Sequence, residues 1–323
     1  MELDEMRQCG KTPGMPLFAG GRLAIVAALA ALVLASVTVR TQGKEAGVLL
    51  LAHGGSASWN TTVDGLRTRV DETAPTEVAF GMATRATIQA AVDRLIQRGV
   101  HEIVAVPLFV SSHSSVVEST RYLLGARADA PADLALFARM SHGAAANAHA
   151  EHSGHAAEDG TRPVRSSVPI RLVRALDDHP IVADILVSRA KAISRDPAHE
   201  AVVIVAHGPV PDADNALWLA DMGRVAARVS SAVPFARVEA ITVRDDAPAP
   251  VRAAAAAELR ALVTRLSSDG TRVLIVPLLL SFGGIEAGIR ERLNGLAYSI
   301  ASQGIMPDDR VLGWVLEVAA IRR

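Results

Sequence analysis

Val48-Leu49-Leu50-Leu51-Ala52-His53-Gly54-Gly55 is an apolar run that stops at a histidine followed by two glycines. An unbroken apolar stretch of this length, closed by glycine, reads as a strand buried on both faces of a parallel sheet. His53 then falls at the carboxyl end of the strand, where the loops of an open α/β sheet form the ligand crevice. The pattern returns at Val202-Val203-Ile204-Val205-Ala206-His207-Gly208, with the two histidines 154 positions apart. One strand-and-tip unit is written twice.

Around the first copy, strand and helix signals alternate. A helix is expected over 61–71, a short strand over 76–80, and a helix over 86–98 (ATIQAAVDRLIQR) with Ile88, Val92, Leu95 and Ile96 on one face and Gly99 at its end. Residues 102–110 (EIVAVPLFV) form a further buried strand, followed by Ser111-Ser112-His113-Ser114-Ser115, whose serines are natural caps for a helix over 116–124. This is the order of a doubly wound sheet. From 126 to 167 periodicity gives way to Ala, Gly, Asp and His, including SHGAAANAHAEHSGHAAEDG at 141–160, which reads as a mobile or disordered insertion. A strand at 168–173 and a helix over 179–194, with Pro180 in its first turn, complete the unit.

The second copy repeats the scheme, with strands at 202–206, 236–243 and 272–280 (RVLIVPLLL) and helices at 214–230 and 250–266. Pro107 and Pro277 hold equal places in VPLFVSSH and VPLLLSFG, but six residues beyond them stand His113 and Gly283. The expected architecture is two tandem flavodoxin-like, doubly wound parallel-sheet domains, over 45–197 and 198–323, preceded by an amino-terminal apolar helix within 1–44.

With 323 residues, each half is long enough for its own core, and a formal net charge of -1 offers no basic surplus for nucleic acid. Cys9 is the only cysteine, which excludes an internal disulfide and a multi-cysteine metal site. Leu23 to Val39 (LAIVAALAALVLASVTV) is flanked by Arg22 and Arg40. Its length, about 25 Å as a helix, leaves both a cleaved signal peptide and a retained membrane anchor open. The expected location is therefore outside the cytoplasm, periplasmic or anchored to a membrane.

His53 follows strand one and His113 follows strand three, which are neighbours in the order 2-1-3-4. Two imidazoles on adjacent strand tips can bind one divalent ion (Co²⁺, Ni²⁺, Fe²⁺ or Zn²⁺) from one side and leave coordination positions open. His207, the second copy of His53, is a further candidate ligand. His142, His149, His152 and His155 in the insertion permit additional weak binding.

LLLAHGG, PLFVSSH, the third element LVRALDDHP and the tandem arrangement resemble the class II tetrapyrrole chelatases of the sirohydrochlorin cobaltochelatase and ferrochelatase type. The likeness runs from Gly47 to the carboxyl terminus. It implies insertion of a divalent metal, Co²⁺ first among them, into a tetrapyrrole such as sirohydrochlorin without a nucleotide, with the metal held by His53 and His113. No P-loop motif is present in the sequence. Ser111, Ser112, Ser114, Ser115 and the adjacent helix amino termini are candidate donors to the ring's carboxylates.

One departure stands out. The family carries a glutamate followed by proline after strand two, whereas this chain reads Gly81-Met82-Ala83-Thr84-Arg85-Ala86. Glu118, five residues beyond His113, is the candidate substitute, and Asp245, Asp246 and Glu286 are candidates from the second copy. The competing expectation is an exported, non-catalytic protein that binds or buffers Co²⁺ or Ni²⁺ on the same fold.

Overall fold

The computed structural model describes residues 46–145 and 160–321. The apolar segment at 23–39 and His149, His152 and His155 lie outside the described residues. No helix among the described residues is long and apolar enough to cross a membrane.

The first half runs β1 (Ala46–Ala52), α1 (Ala57–Asp71), β2 (Thr76–Phe80), α2 (Arg85–Gln97), β3 (Glu102–Leu108), α3 (Ser115–Leu123), α4 (Leu134–Ala145), β4 (Ile170–Leu172) and α5 (Pro180–Ile193). The second half runs β5 (Glu200–Ala206), α6 (Asp212–Ala232), β6 (Arg237–Thr242), α7 (Ala249–Ser267), β7 (Arg272–Leu278), α8 (Gly284–Arg292), β8 (Ser299–Ile300) and α9 (Asp309–Val318). Each half forms one four-stranded parallel sheet, ordered β2-β1-β3-β4 and β6-β5-β7-β8. The first strand of each half is thus central, which explains its unbroken apolar sequence.

The prolines inside β3 and β7 are tolerated for a visible reason. Pro107 pairs in register with Leu51 and Pro277 with Val205, each opposite the central strand. On the far side, β4 meets β3 only at Ile103–Ala105 and β8 meets β7 only at Leu274 and Ile275. The missing N–H therefore interrupts no ladder there.

Strand alternation divides the interior into three layers. Val48, Leu50 and Ala52 of β1, with Val202, Ile204 and Ala206 of β5, belong to one cluster that also takes in buried residues of α1, α5, α6 and α9. Leu49 and Leu51 point into a second cluster under α2 and α3, and Val203 and Val205 into a third under α7 and α8. The first cluster is shared by both halves. Across it α5 packs on α6 and α9 packs on α1, so each half's last helix covers the other half's first.

The 126–167 segment departs from its expected disorder. α4 forms within it, and Leu134 and Phe137 are buried in the second cluster, with Val164 packed at its edge. Docking of an amphipathic helix against an existing core accounts for α4, in a stretch whose composition alone carries no periodic signal.

Candidate metal centre

The β1 tip is held by its own helix. Ser56 caps α1 by accepting from the Trp59 N–H, and the Trp59 indole donates to the His53 carbonyl at 2.6 Å. The indole bond fixes the backbone and leaves the His53 side chain exposed.

The β3 tip is built differently. Asp177 follows β4 with φ of 44°, a left-handed conformation that a short, hydrogen-bonding side chain tolerates. Its backbone N–H donates to Val110 O, and its carboxylate accepts from the Ser112 N–H at 2.6 Å, the Ser112 hydroxyl at 2.7 Å and Arg174 Nε at 2.9 Å. The Ser112 hydroxyl oxygen in turn accepts from the Ala175 N–H, while Ser111 Oγ accepts from the His113 N–H. Ser114 caps α3 by accepting from the Val117 N–H. These three serines therefore hold the loop's own backbone and Asp177, where the sequence offered them to a ring's carboxylates.

Opposite this loop stands a residue of the other half. Asp221, on α6, is 3% exposed, and its Oδ2 comes within 3.3 Å of His113 Nε2. Arg224 binds Asp221 Oδ1 and also donates to Asp178 at 2.7 Å. Asp221 Oδ2 has no hydrogen-bond partner. Burial raises the Asp221 carboxyl above the ordinary carboxylate range, and Asp177 pushes it the same way, against Arg224 and His113. The hydrogen bond from Arg224 lowers Asp178.

His113, Asp177 and Asp221 can each present one donor atom within 4.8 Å of the others. Among the described residues this is the one group of three or more His, Cys, Asp or Glu side chains so arranged. His53 and His207 belong to no such group. His207 instead pairs with Asp246 at 3.3 Å. Glu118 lies outside the group as well: it faces Arg121 at 3.3 Å and Arg127 at 2.7 Å on the surface of α3. Asp245 binds Arg292, and Glu286 accepts from the Gly283 N–H. These acids are all engaged locally.

Asp177 stood in the LVRALDDHP element without a role of its own. Asp221 left a readable trace: Trp218, Met222, Val225 and Val229 form the buried stripe of α6, and Asp221, three residues after Trp218, is a charge on that face. Such a charge signals a partner across the interface but not its identity.

Residues 47–193 match the family model described as CbiX. No curated protein sequence matches the chain. Among solved structures it is similar to SirB from Bacillus subtilis with Fe³⁺, at 17% identity and a TM-score of 0.56, covering 85% of this chain and 94% of that one. The sirohydrochlorin chelatase SirB from Bacillus subtilis subspecies spizizenii in complex with cobalt matches at 14% identity and a TM-score of 0.50, over 85% of this chain and 94% of that one. A multi-domain protein from Deinococcus radiodurans with structural similarity to chelatases matches at 16% identity and a TM-score of 0.50, over 86% of this chain and 55% of that one.

Proposed function

We propose that this protein inserts a divalent metal, Co²⁺ first among candidates, into a tetrapyrrole such as sirohydrochlorin, a reading supported by the match of residues 47–193 to the CbiX family model. The observation that carries the proposal is that His53 and His113 follow β1 and β3, which are hydrogen-bonded neighbours in the sheet. Two imidazoles present the ion from one side and leave coordination positions for pyrrole nitrogens. Insertion then exchanges the ion's water for four ring nitrogens and releases two N–H protons, so a base must stand near the ring. The chemistry balances without a nucleotide.

The test uses the full chain with sirohydrochlorin and Co²⁺, following the macrocycle's absorbance beside a His53→Ala/His113→Ala double variant. Insertion at least tenfold above the spontaneous rate, lost in the variant, is expected. A rate equal to the spontaneous one in both proteins overturns the activity.

One observation favours a second reading, a non-catalytic Co²⁺ or Ni²⁺ binder on the same fold. Residues 81–86 contain no acid, and Glu118 is held by two arginines, so neither supplies the base. Stoichiometric Co²⁺ binding without acceleration is the outcome that selects it. For location, we extend the proposal to an exported or membrane-anchored protein on the strength of the 23–39 segment; fractionation of cells expressing the full chain tests it.

A further inference from the structure

We propose that His113, Asp177 and Asp221 form a divalent-cation site shared by the two halves, in which Asp221 supplies from α6 the acid that residues 81–86 lack. The ion's role in ring insertion rests on the chelatase reading; its binding at these three residues does not.

The first argument is geometric. Two donors held about 2.1 Å from one transition-metal ion, at angles between octahedral and tetrahedral, lie about 3.0–3.4 Å apart. His113 Nε2 and Asp221 Oδ2 are 3.3 Å apart, so they already span one edge of such a polyhedron. Asp177 is held by Ser112 and Arg174, which aim its carboxylate without filling every lone pair of its two oxygens. A ligand oriented by outer hydrogen bonds is the ordinary construction of a metal site.

The second argument concerns Asp221 alone. Its side chain is 4% exposed and Oδ2 accepts no hydrogen bond, although His113 Nε2 lies at 3.3 Å and Arg174 Nη2 at 3.9 Å. A buried carboxylate oxygen without a donor is costly, and a cation relieves that cost. Local charge agrees. Asp177, Asp178 and Asp221 face Arg174 and Arg224, which leaves one negative charge when His113 is neutral.

One imidazole with two carboxylates suits Fe²⁺, Co²⁺ or Zn²⁺. The site differs from a β1–β3 histidine pair in requiring the second half of the chain. It assigns that half a part in holding the ion even though its own strand tip carries Gly283 where the first half has His113.

Titrating Co²⁺ into the metal-free full chain and its variants tests the proposal, with the tightest site followed by Co²⁺ absorbance and equilibrium dialysis. All variants keep residues 141–160, so weak binding by that segment cancels in the comparison. Asp221→Asn preserves side-chain size and is expected to weaken the tightest site at least tenfold. Asp178→Asn, which removes a carboxylate from the same Arg224 outside the trio, is expected to leave affinity within threefold. Asp221→Asn binding Co²⁺ within threefold of the parent overturns the proposal and leaves Asp221 as a partner that merely orients His113.

A second measurement needs no variant. Fe²⁺ with ascorbate and peroxide cuts backbone close to bound iron, and cuts around residues 113, 177 and 221 are expected. Cuts around 53 and 113 with none in α6 overturn the proposal. Loss of Co²⁺ in Asp221→Asn from a protein that inserts no metal leaves this site standing and removes the chelatase activity. Insertion by a protein whose Asp221→Asn variant binds Co²⁺ normally does the reverse.

Discussion

At the tip of β3 the chain carries Ser112 and His113, five and six residues beyond Pro107, while the matching positions beyond Pro277 at the tip of β7 are Phe282 and Gly283. The third member differs too. The backbone N–H of Asp177 donates to Val110 O and that of Met306 donates to Leu280 O, each acceptor three residues past its proline. One tip is thus Ser, His, Asp and the other Phe, Gly, Met on the same backbone scaffold. Parallel divergence marks the paired helices. Trp59 of α1 and Trp218 of α6 are both 8% exposed, but three residues later stand Thr62, which bonds its own helix, and Asp221, which faces His113. The two halves share one frame, and among the described residues the group of three potential metal donors lies where the first half's β3 tip meets the second half's α6.

The largest expected effect breaks or upholds that asymmetry. His113→Ala is expected to abolish the tightest Co²⁺ site and accelerated insertion together, whereas His207→Ala leaves the insertion rate within about twofold. A rate loss in His207→Ala as deep as in His113→Ala would mean that both halves work as separate centres.

The next contrast is electrostatic and lies at the opposite end of the sheets. Glu200, at the start of β5, is 1% exposed. Burial acts to raise its carboxyl pKa, but hydrogen bonds from the Ser194 hydroxyl, the Arg195 N–H and Arg272 outweigh it and hold the group below the ordinary value. A lowered native pKa stabilises the fold above the ordinary carboxylate range, and the contribution fades as pH falls through the native value. Glu200→Gln is expected to cost about 2 kcal/mol at pH 7 in urea denaturation, with the difference from the parent shrinking below about pH 4. Glu102, in the first half, meets Arg171 at 3.4 Å with 34% of its side chain exposed. Glu102→Gln is expected to cost about 0.5 kcal/mol or less, because water already screens the pair.

The smallest contrast sharpens the comparison of the two histidine–glycine tips. Gly208 has φ of 75°, and an added Cβ would meet Thr242 Cβ at 2.5 Å. Gly54 has no such backbone demand, and its nearest neighbour to an added Cβ is Phe80 at 3.8 Å. Gly208→Ala is expected to lower stability by about 2 kcal/mol. Gly54→Ala should stay within about 0.5 kcal/mol by the same denaturation measurement.

Strands were legible because central parallel strands bury both faces, so Val48 to Ala52 and Val202 to Ala206 are apolar without a break. The repeated proline was legible for the same reason, since its register opposite the central strand recurs in both sheets. The helix α4 within 126–167 was not legible in the sequence, because Leu134 and Phe137 gain order only from the cluster they dock on. Glu118 was singled out by nearness in sequence to His113, but α3 turns its carboxylate toward Arg121 and Arg127.

By itself the sequence determined the twofold α/β plan, the strand tips and the histidines that follow them, because burial period and turn chemistry are local properties. Tertiary structure alone decided which acid meets His113. Asp221 lies far along the chain, on a helix whose stripe specifies only that it docks. Its partner emerges when α6 packs on α5 across the shared core and carries a buried charge to the other half's strand tip. That juxtaposition belongs to the packing of two halves, and no window of either one contains it.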